Sequence, residues 1–371
     1  VPRGVSYNSY LLLDEKTALF DTIDQAFTHQ FLENVSSVLD GRSLDYLIVN
    51  HMEPDHCASI ADILFRYPGV KIVCTAKAAN MMKQFFEFDV DQYVVPVKEG
   101  DTLSLGVHTL TFVMAPMVHW PEVMVTYETT EKILFSADAF GSFGAIDGNI
   151  FADETDYKNQ WLPEARRYYC NIVGKYGPQV QALLKKASGL EISMICPLHS
   201  LVWRKDLDWL LEKYSRWSSY EPEEKTVLIA YASVYGHTEQ AADAIAAKLA
   251  ERRVPNIAVY DVSKTHPSYI LADAFRCSAL VFASITYNNG IFCNMETLLH
   301  QIAAHNLQNR TVAFLENGSW APVSVKHMTD TFASLKNMKV LEDSLTIRSS
   351  LKNCQGDCLE ALVDSIFQSL A

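Results

Sequence analysis

The stretch Leu47-Ile48-Val49-Asn50-His51-Met52-Glu53-Pro54-Asp55-His56 decides how the first half of this chain is read. Its apolar start has the length and β-branched content of a buried strand. His51, Glu53, Asp55 and His56 then follow on a turn ahead of a helix, and such a turn can aim all four side chains into one pocket. A lone loop histidine is usually an ordinary polar residue. A His/Glu/Asp/His cluster at a strand end is harder to assign to structure alone, because crowded charges repel unless a cation compensates.

Further ligand candidates stand at other strand ends. His119 lies beyond the strand ending near Met114, in Ala115-Pro116-Met117-Val118-His119-Trp120. Asp138 follows Ile133-Leu134-Phe135-Ser136-Ala137, and His199 closes Ile195-Cys196-Pro197-Leu198-His199. Each alone would more often be structural; the ordered set forms a pattern. His29, His108, His266, His300, His305 and His327 belong to no such pattern and are assigned to structure or surface.

The pattern resembles the metallo-β-lactamase fold, whose signature is HxHxDH followed by a distant His, Asp and His. Here Glu53 stands where the second histidine would, giving HxExDH. A carboxylate adds negative charge and hard oxygen donation, which suits iron better than zinc. In this form the motif resembles the flavodiiron family. The resemblance implies that His51, Glu53 and His119 hold one iron and that Asp55, His56 and His199 hold the other. Asp138 and a solvent-derived oxygen would bridge them. A histidine at the position of His56 need not coordinate.

Away from this motif, the first half reads as strands near residues 7–13, 18–21, 47–50, 72–75, 109–114, 123–127 and 133–136. Helices are expected near 24–39, 57–65, 76–86 and 158–187. Two strand-rich halves with helices outside predict an αββα sandwich. The segment Ser218-Ser219-Tyr220-Glu221-Pro222-Glu223-Glu224-Lys225 is short, polar and proline-containing, as linkers are. The expected domains are therefore 1–220 and 226–371.

After the linker, apolar runs at 226–232, 257–260, 279–283, 311–315 and 338–341 alternate with helical stretches, the first helix spanning about 238–252. That alternation predicts a doubly wound parallel sheet with its ligand at the strand carboxyl ends. Ser233-Val234-Tyr235-Gly236-His237-Thr238 follows the first of these strands and opens a helix, placing N–H groups and hydroxyls where a phosphate is stabilised. It lacks the Gly and Lys of a triphosphate loop and the GxGxxG of a dinucleotide fold. It resembles the flavodoxin phosphate loop, which takes the single phosphate of FMN; a hydroxyl-rich helix cap without ligand is the plainer alternative.

Ser284-Ile285-Thr286-Tyr287-Asn288-Asn289-Gly290 and Glu316-Asn317-Gly318-Ser319-Trp320-Ala321 follow two later strands of the same half. Their aromatic, amide and glycine content suits stacking and backbone hydrogen bonds to an isoalloxazine ring. Thr286, Tyr287, Asn288, Asn289, Gly290, Ser319 and Trp320 are the expected flavin contacts, although Asn-Asn-Gly would also serve as an ordinary turn. The whole chain therefore reads as α/β: a metallo-β-lactamase-like αββα sandwich followed by a flavodoxin-like doubly wound sheet.

Composition narrows the function classes. A formal charge of −13 over 371 residues argues against a nucleic-acid partner. No run is long and apolar enough to span a bilayer, and no basic region leads into an apolar core at the start, so a cytoplasmic protein is expected. The eight cysteines sit in apolar surroundings, as reduced core thiols do, and Cys354 and Cys358 lack the CxxC spacing of a zinc or rubredoxin knuckle. The chain opens at Val1 without a methionine, and family members usually carry a few dozen residues before the segment matching Gly4-Val5-Ser6-Tyr7-Asn8.

The resemblance implies an oxidoreductase that reduces dioxygen to water or nitric oxide to nitrous oxide, with electrons passing through FMN to a diiron centre. No rubredoxin or flavin-reductase module follows the flavodoxin half, so a separate donor is expected, rubredoxin being the commonest. A head-to-tail homodimer, or a dimer of dimers, would bring one subunit's flavin beside the other's irons. Residues 136–144 resemble oxygen-preferring relatives more than nitric-oxide specialists, and Trp120, Phe140, Ser142 and Phe143 are candidates for tuning that choice. Two alternatives remain. A dizinc hydrolase would show stoichiometric zinc and thioester or lactam hydrolysis; a non-catalytic electron carrier or gas sensor would bind no metal.

Overall fold

The computed structural model describes residues 2–371. The chain divides into two compact units, Val1–Tyr169 with Pro178–Ser215, and Cys170–Gly177 with Arg216–Ala371. Each is built around its own sheets.

The first unit holds ten strands. They are β1 (Tyr10–Leu13), β2 (Thr17–Phe20), β3 (Tyr46–Val49), β4 (Lys71–Thr75), β5 (Val94–Val97), β6 (Thr102–Ser104), β7 (Thr109–Met114), β8 (Met124–Glu128), β9 (Ile133–Phe135) and β10 (Met194–Cys196). One sheet runs β1-β2-β3-β4-β5 and the other β10-β9-β8-β7-β6. Side chains on β2, β3 and β4 alternate between two cores, as a period of two demands. Ala18, Phe20, Ile48 and Val73 point into a core shared with Leu110, Phe112, Met124 and Phe135 of the second sheet. Leu19, Leu47, Val49, Ile72 and Cys74 point the other way, onto Phe31, Val35, Leu39, Ile60, Ile63 and Met82 of flanking helices. Burial on both faces explains why the LIV run before His51 is unbroken by polar residues. Phe20 and Phe135 stack with centroids 3.8 Å apart, joining the sheets.

The second unit has a sheet of β11 (Glu224–Ala232), β12 (Ala258–Asp261), β13 (Cys277–Tyr287), β14 (Gly290–Ile291), β15 (Thr311–Asn317) and β16 (Lys339–Ile347). Its order is β12-β11-β13-β15-β16, every pair parallel, with β14 folded back on β13 as a hairpin. That is the flavodoxin order, with its switch point between β11 and β13. One face packs Val227, Ile229, Val281, Ala283 and Leu315 on Ala241, Ile245, Leu249, Leu362 and Ile366. On the other, Phe282 and Phe314 meet Phe332 at 5.1 and 5.8 Å.

The expected helix over 158–187 is broken. Helices Tyr157–Gln160, Leu162–Tyr168 and Gly177–Ala187 are separated by a π turn at Tyr169–Val173 and a 3-10 turn at Gly174–Tyr176. Pro163 starts the second piece, and Gly177 lies so close to the Ser218 carbonyl that an added Cβ would overlap it. The helix expected at 57–65 is also two pieces, Pro54–Cys57 and Ile60–Arg66. The thiol reading needs correcting: Cys57, Cys74, Cys170, Cys196 and Cys277 are buried, but Cys293, Cys354 and Cys358 are exposed. Cys354 and Cys358 stand in the polar run Lys352-Asn353-Cys354-Gln355-Gly356-Asp357-Cys358, and Cys293 opens a helix. No helix among the described residues is long and apolar enough to cross a membrane.

Candidate metal centre and flavin cleft

The four quoted ligand candidates leave β3 on a turn held from below. Asp21, wholly buried, accepts from the Asn50 and His51 backbone N–H groups at 2.7 and 3.1 Å and from Asn50 Nδ2 at 2.8 Å. Glu53 caps the short helix Pro54–Cys57, which carries Asp55 and His56. Thr22 donates through both its N–H and its hydroxyl to the His56 carbonyl, at 2.8 and 2.9 Å. His119 comes from the loop between β7 and β8, Asp138 from the turn after β9, and His199 from the turn after β10. Met117, Ala137 and Ser200, each one or two residues from a ligand candidate, take positive φ of 66°, 51° and 73°. Non-glycine residues rarely adopt that region, and such strain gathers at functional sites.

These loops bring all seven predicted metal residues together in two groups, His51, Glu53, His119 and Asp138, and Asp55, His56 and His199. Asp138 faces both. Its Oδ2 lies 3.0 Å from His119 Nε2 and 3.5 Å from His51 Nε2; its Oδ1 lies 3.1 Å from His56 Nε2 and 3.6 Å from His199 Nε2. Glu53 Oε2 completes one side, 2.9 Å from His119 and 3.3 Å from His51. Asp55 Oδ2 completes the other, 3.4 Å from His199 and 3.5 Å from His56.

The electrostatics are those of a pocket built for a cation. Burial works against charge on Asp138, yet the neighbouring His56 and His51 hold it well below the usual carboxylate range. Burial would likewise raise Glu53, but hydrogen bonds from His119 and His51 bring it down to about 2. Burial would depress His119, and Asp138 and Glu53 instead raise it to about 9. His51 is raised against burial by Asp138, whereas burial and the nearby His56 depress His199. Raised imidazoles at His51 and His119 thus face lowered carboxylates at Asp138 and Glu53, an attraction that a bound cation would supply in place of a proton. Among the described residues, Asp55 Oδ1, Asp138 Oδ1 and His56 Nδ1 are buried without a hydrogen-bond partner, and hard oxygens mixed with imidazoles suit iron. The donor set fits a diiron pair.

Several groups around the ligands were not anticipated. Glu122, fully buried, places Oε1 2.8 Å from His51 Nδ1 and 2.9 Å from the Met52 N–H. Burial would raise this carboxyl; His51 and the Met52 N–H hold it below its ordinary value. His199 Nδ1 donates to the Ser6 carbonyl at 2.8 Å, and Tyr168 packs 5.5 Å from the His199 ring. The only sequence signal for Glu122 was an acid three residues beyond a candidate ligand. Of the tuning candidates, Trp120 meets the His51 ring edge-on at 5.3 Å. Phe143 packs on Tyr168, Phe140 on Tyr214, and the Ser142 hydroxyl donates to the Phe143 carbonyl.

The second unit carries a cavity of about 730 Å³ at the carboxyl ends of its strands. Ser233, Val234, Tyr235, His237, Thr238, Thr286, Tyr287, Asn288, Asn289, Ser319 and Trp320 line it as expected; Gly236 and Gly290 do not. Gly236 instead turns the chain into helix His237–Glu251 at φ 85°, its N–H donating to Ser233 Oγ at 3.1 Å. Gly290 pairs with Tyr287 across a hairpin whose Asn288 and Asn289 both have positive φ, so the turn and cavity readings hold together. Ser349, from the loop after β16, also lines the cavity and was missed. Asn317 binds it on both sides, accepting from its N–H at 3.1 Å and donating to its carbonyl at 3.0 Å. Tyr235 and Trp320 are 89% and 85% exposed on the cavity lining, leaving aromatic faces for a planar ring. The hydroxyl-lined helix start and these rings fit FMN.

Comparison with known proteins agrees with both halves. Residues 5–200 match the ODP family beta lactamase, and residues 228–357 match a flavodoxin domain. An anaerobic nitric oxide reductase flavorubredoxin of Aeromonas hydrophila is 34% identical, covering 86% of this chain. The chain spans 64% of that relative's length. The flavorubredoxin of Salmonella typhi is 32% identical over 88% of this chain and 68% of its own. Among solved structures, the rubredoxin oxygen:oxidoreductase of Desulfovibrio gigas superposes with a TM-score of 0.91 at 27% identity, covering 100% of this chain and 92% of that one. The flavodiiron protein of Giardia intestinalis gives 0.92 at 25% identity, with 100% and 91% covered. A lactamase-type match over more than half the chain, with a flavodoxin match behind it, makes this chain a member of the flavodiiron protein family.

Proposed function

We propose that this protein reduces dioxygen to water or nitric oxide to nitrous oxide at a non-haem diiron centre, with electrons delivered through FMN. The observation that carries this reading is the two-sided Asp138: one oxygen meets the His51/Glu53/His119 group and the other the Asp55/His56/His199 group. On this reading His51, Glu53 and His119 hold one iron, Asp55, His56 and His199 the other, and Asp138 lies between. The phosphate loop from Ser233 to Thr238 and the segments 286–290 and 319–320 hold FMN. The corresponding domains are 1–220 and 226–371.

When bound, the irons and the flavin together supply the electrons: four for dioxygen, two for a pair of nitric oxide molecules. The protein's own part is placement and shielding. The Ser6 carbonyl accepts from His199 Nδ1, leaving Nε2 free to ligate. Trp120 and Tyr168 wall the ligand rings from water. Burial and the charge of Asp138 keep the proton on the Tyr168 hydroxyl.

The relatives' names support a rubredoxin-type donor. A head-to-tail homodimer and a cytoplasmic setting belong to the same proposal. Glu53, adding a third carboxylate, and the flavodoxin unit both weigh against a dizinc hydrolase. The test is anaerobic gas consumption by pre-reduced protein with a rubredoxin-based donor, with iron and flavin assayed on the same sample. Rapid loss of either gas supports the reading and names the substrate. Stoichiometric zinc with hydrolysis, or no consumption at full iron and FMN, would overturn it.

A further inference from the structure

Three of the site's imidazole contacts differ in a way that the ligand set alone does not show. Behind His199, Nδ1 meets a neutral carbonyl, that of Ser6, at 2.8 Å. Behind His56, Nδ1 is buried with no hydrogen-bond partner among the described residues. Behind His51, Nδ1 meets the carboxylate of Glu122 at 2.8 Å. Glu122 and the His51 ring are both wholly buried, so this charge is not screened by water. The same Oε1 accepts the Met52 N–H at 2.9 Å, and Oε2 has no partner among the described residues. A carboxylate oxygen has only lone pairs to offer, so it accepts from the imidazole as it accepts from the Met52 N–H. His51 must therefore carry hydrogen on Nδ1 and turn Nε2 toward Glu53 and Asp138. Asp21 reaches only the backbone N–H of His51 and the Asn50 groups, so it shapes the loop rather than the ring.

We propose that Glu122 is a positioning residue that makes the two iron sites unequal. Its charge increases the donor strength of His51, so the iron held with Glu53 and His119 is the more firmly retained of the two. The proposal rests on the diiron reading above. The other half, with a neutral carbonyl behind His199 and nothing behind His56, lacks this support. A carboxylate behind a ligating histidine commonly changes metal affinity by about 10–100-fold.

Glu122→Gln isolates the charge. Its amide oxygen can keep both bonds that Oε1 makes, so loop geometry survives while the negative charge is lost. Iron release from holoprotein to a chelator is followed for wild type and variant, with FMN content and circular dichroism as controls. Two iron phases are expected in wild type, the slow one accelerating about 10–100-fold in Glu122→Gln while the fast one is unchanged. An altered spectroscopic signature of the mixed-valence centre is expected alongside. Unchanged release and signature in a folded variant would overturn the proposal and leave the diiron reading intact; wild type that takes up no iron would overturn both. A second measurement avoids the variant. In zinc-loaded, nitrogen-15-histidine wild type, the Nδ1 proton of His51 should resonate farther downfield than that of His199, as a charge-assisted bond requires. Equal positions would overturn the proposal.

Discussion

Asp138 places Oδ1 3.1 Å from His56 Nε2, on the opposite side of its carboxylate from the oxygen that His119 approaches at 3.0 Å. One buried side chain thus faces both groups, which separates its expected phenotype from that of the other candidate ligands.

Replacing Asp138 by alanine should remove both irons together, because each group loses one oxygen of the same carboxylate. Replacing Glu53 should empty mainly the site that it completes with His51 and His119. Metal analysis of the two purified variants distinguishes them, with FMN content unaffected in both. Retention of one iron in Asp138→Ala would contradict a shared carboxylate.

Iron uptake by the apoprotein should depend on pH in a stated direction. His119 is raised to about 9 in the metal-free pocket, above the unfolded value of about 6.5. Its contribution to apoprotein stability is therefore fully present below about pH 6.5 and is lost as pH rises through about 9. Iron must displace that proton, so apparent affinity rises across the same window. Anaerobic titration with ferrous iron in a pH-stat should record proton release at neutral pH. An affinity that falls with rising pH would contradict this balance.

Thr238 is buried at the start of the helix below the phosphate loop, and its Oγ1 accepts from Asn317 Nδ2 at 3.2 Å. Thr238→Val keeps the shape and removes the hydroxyl. The FMN dissociation constant should rise about tenfold, equivalent to about 1.4 kcal/mol, with an unchanged melting profile of the lactamase-like unit. Flavin fluorescence titration reads the change; an unaltered constant would remove this hydroxyl from the flavin site.

Arg310 is 2% exposed and donates to the carbonyls of Tyr220, Ala274, Phe275, Gln308 and Asn309 at 2.6–3.1 Å. Burial lowers its guanidinium to about 10. Arg310→Ala removes the donor that those carbonyls share and should destabilise the flavodoxin unit by at least about 1–3 kcal/mol. Lysine should not rescue it, since a point charge cannot reproduce the planar fork. Denaturant unfolding followed by flavin release would show the effect, and a loss below about 1 kcal/mol would refute this role.

His51, Glu53, Asp55 and His56 were legible in the sequence because a strand, a turn and a helix start are local, and crowded acids and imidazoles within one turn are chemically conspicuous. The parallel sheet was legible for the same reason: alternating strands and helices put the loop Ser233–Thr238 at a strand end before any fold is known. The flavodoxin unit's Ser349 was not, because only the pairing of β16 with β15 brings its loop to the cavity. The break at 169–176 was hidden too: the close approach of Gly177, just after it, to the Ser218 carbonyl joins residues distant along the chain.

By itself, then, the sequence determined which donor chemistry this protein carries and the two folds that carry it, through motifs a few residues long. Tertiary structure alone decided the arrangement within the site: that Asp138 faces both groups with different oxygens, and that a carboxylate backs His51 while a carbonyl backs His199. Those relations join side chains on separate strands and loops. Their angstrom-scale geometry is set by how two sheets pack through Phe20, Phe112 and Phe135, which residue spacing along a chain does not encode.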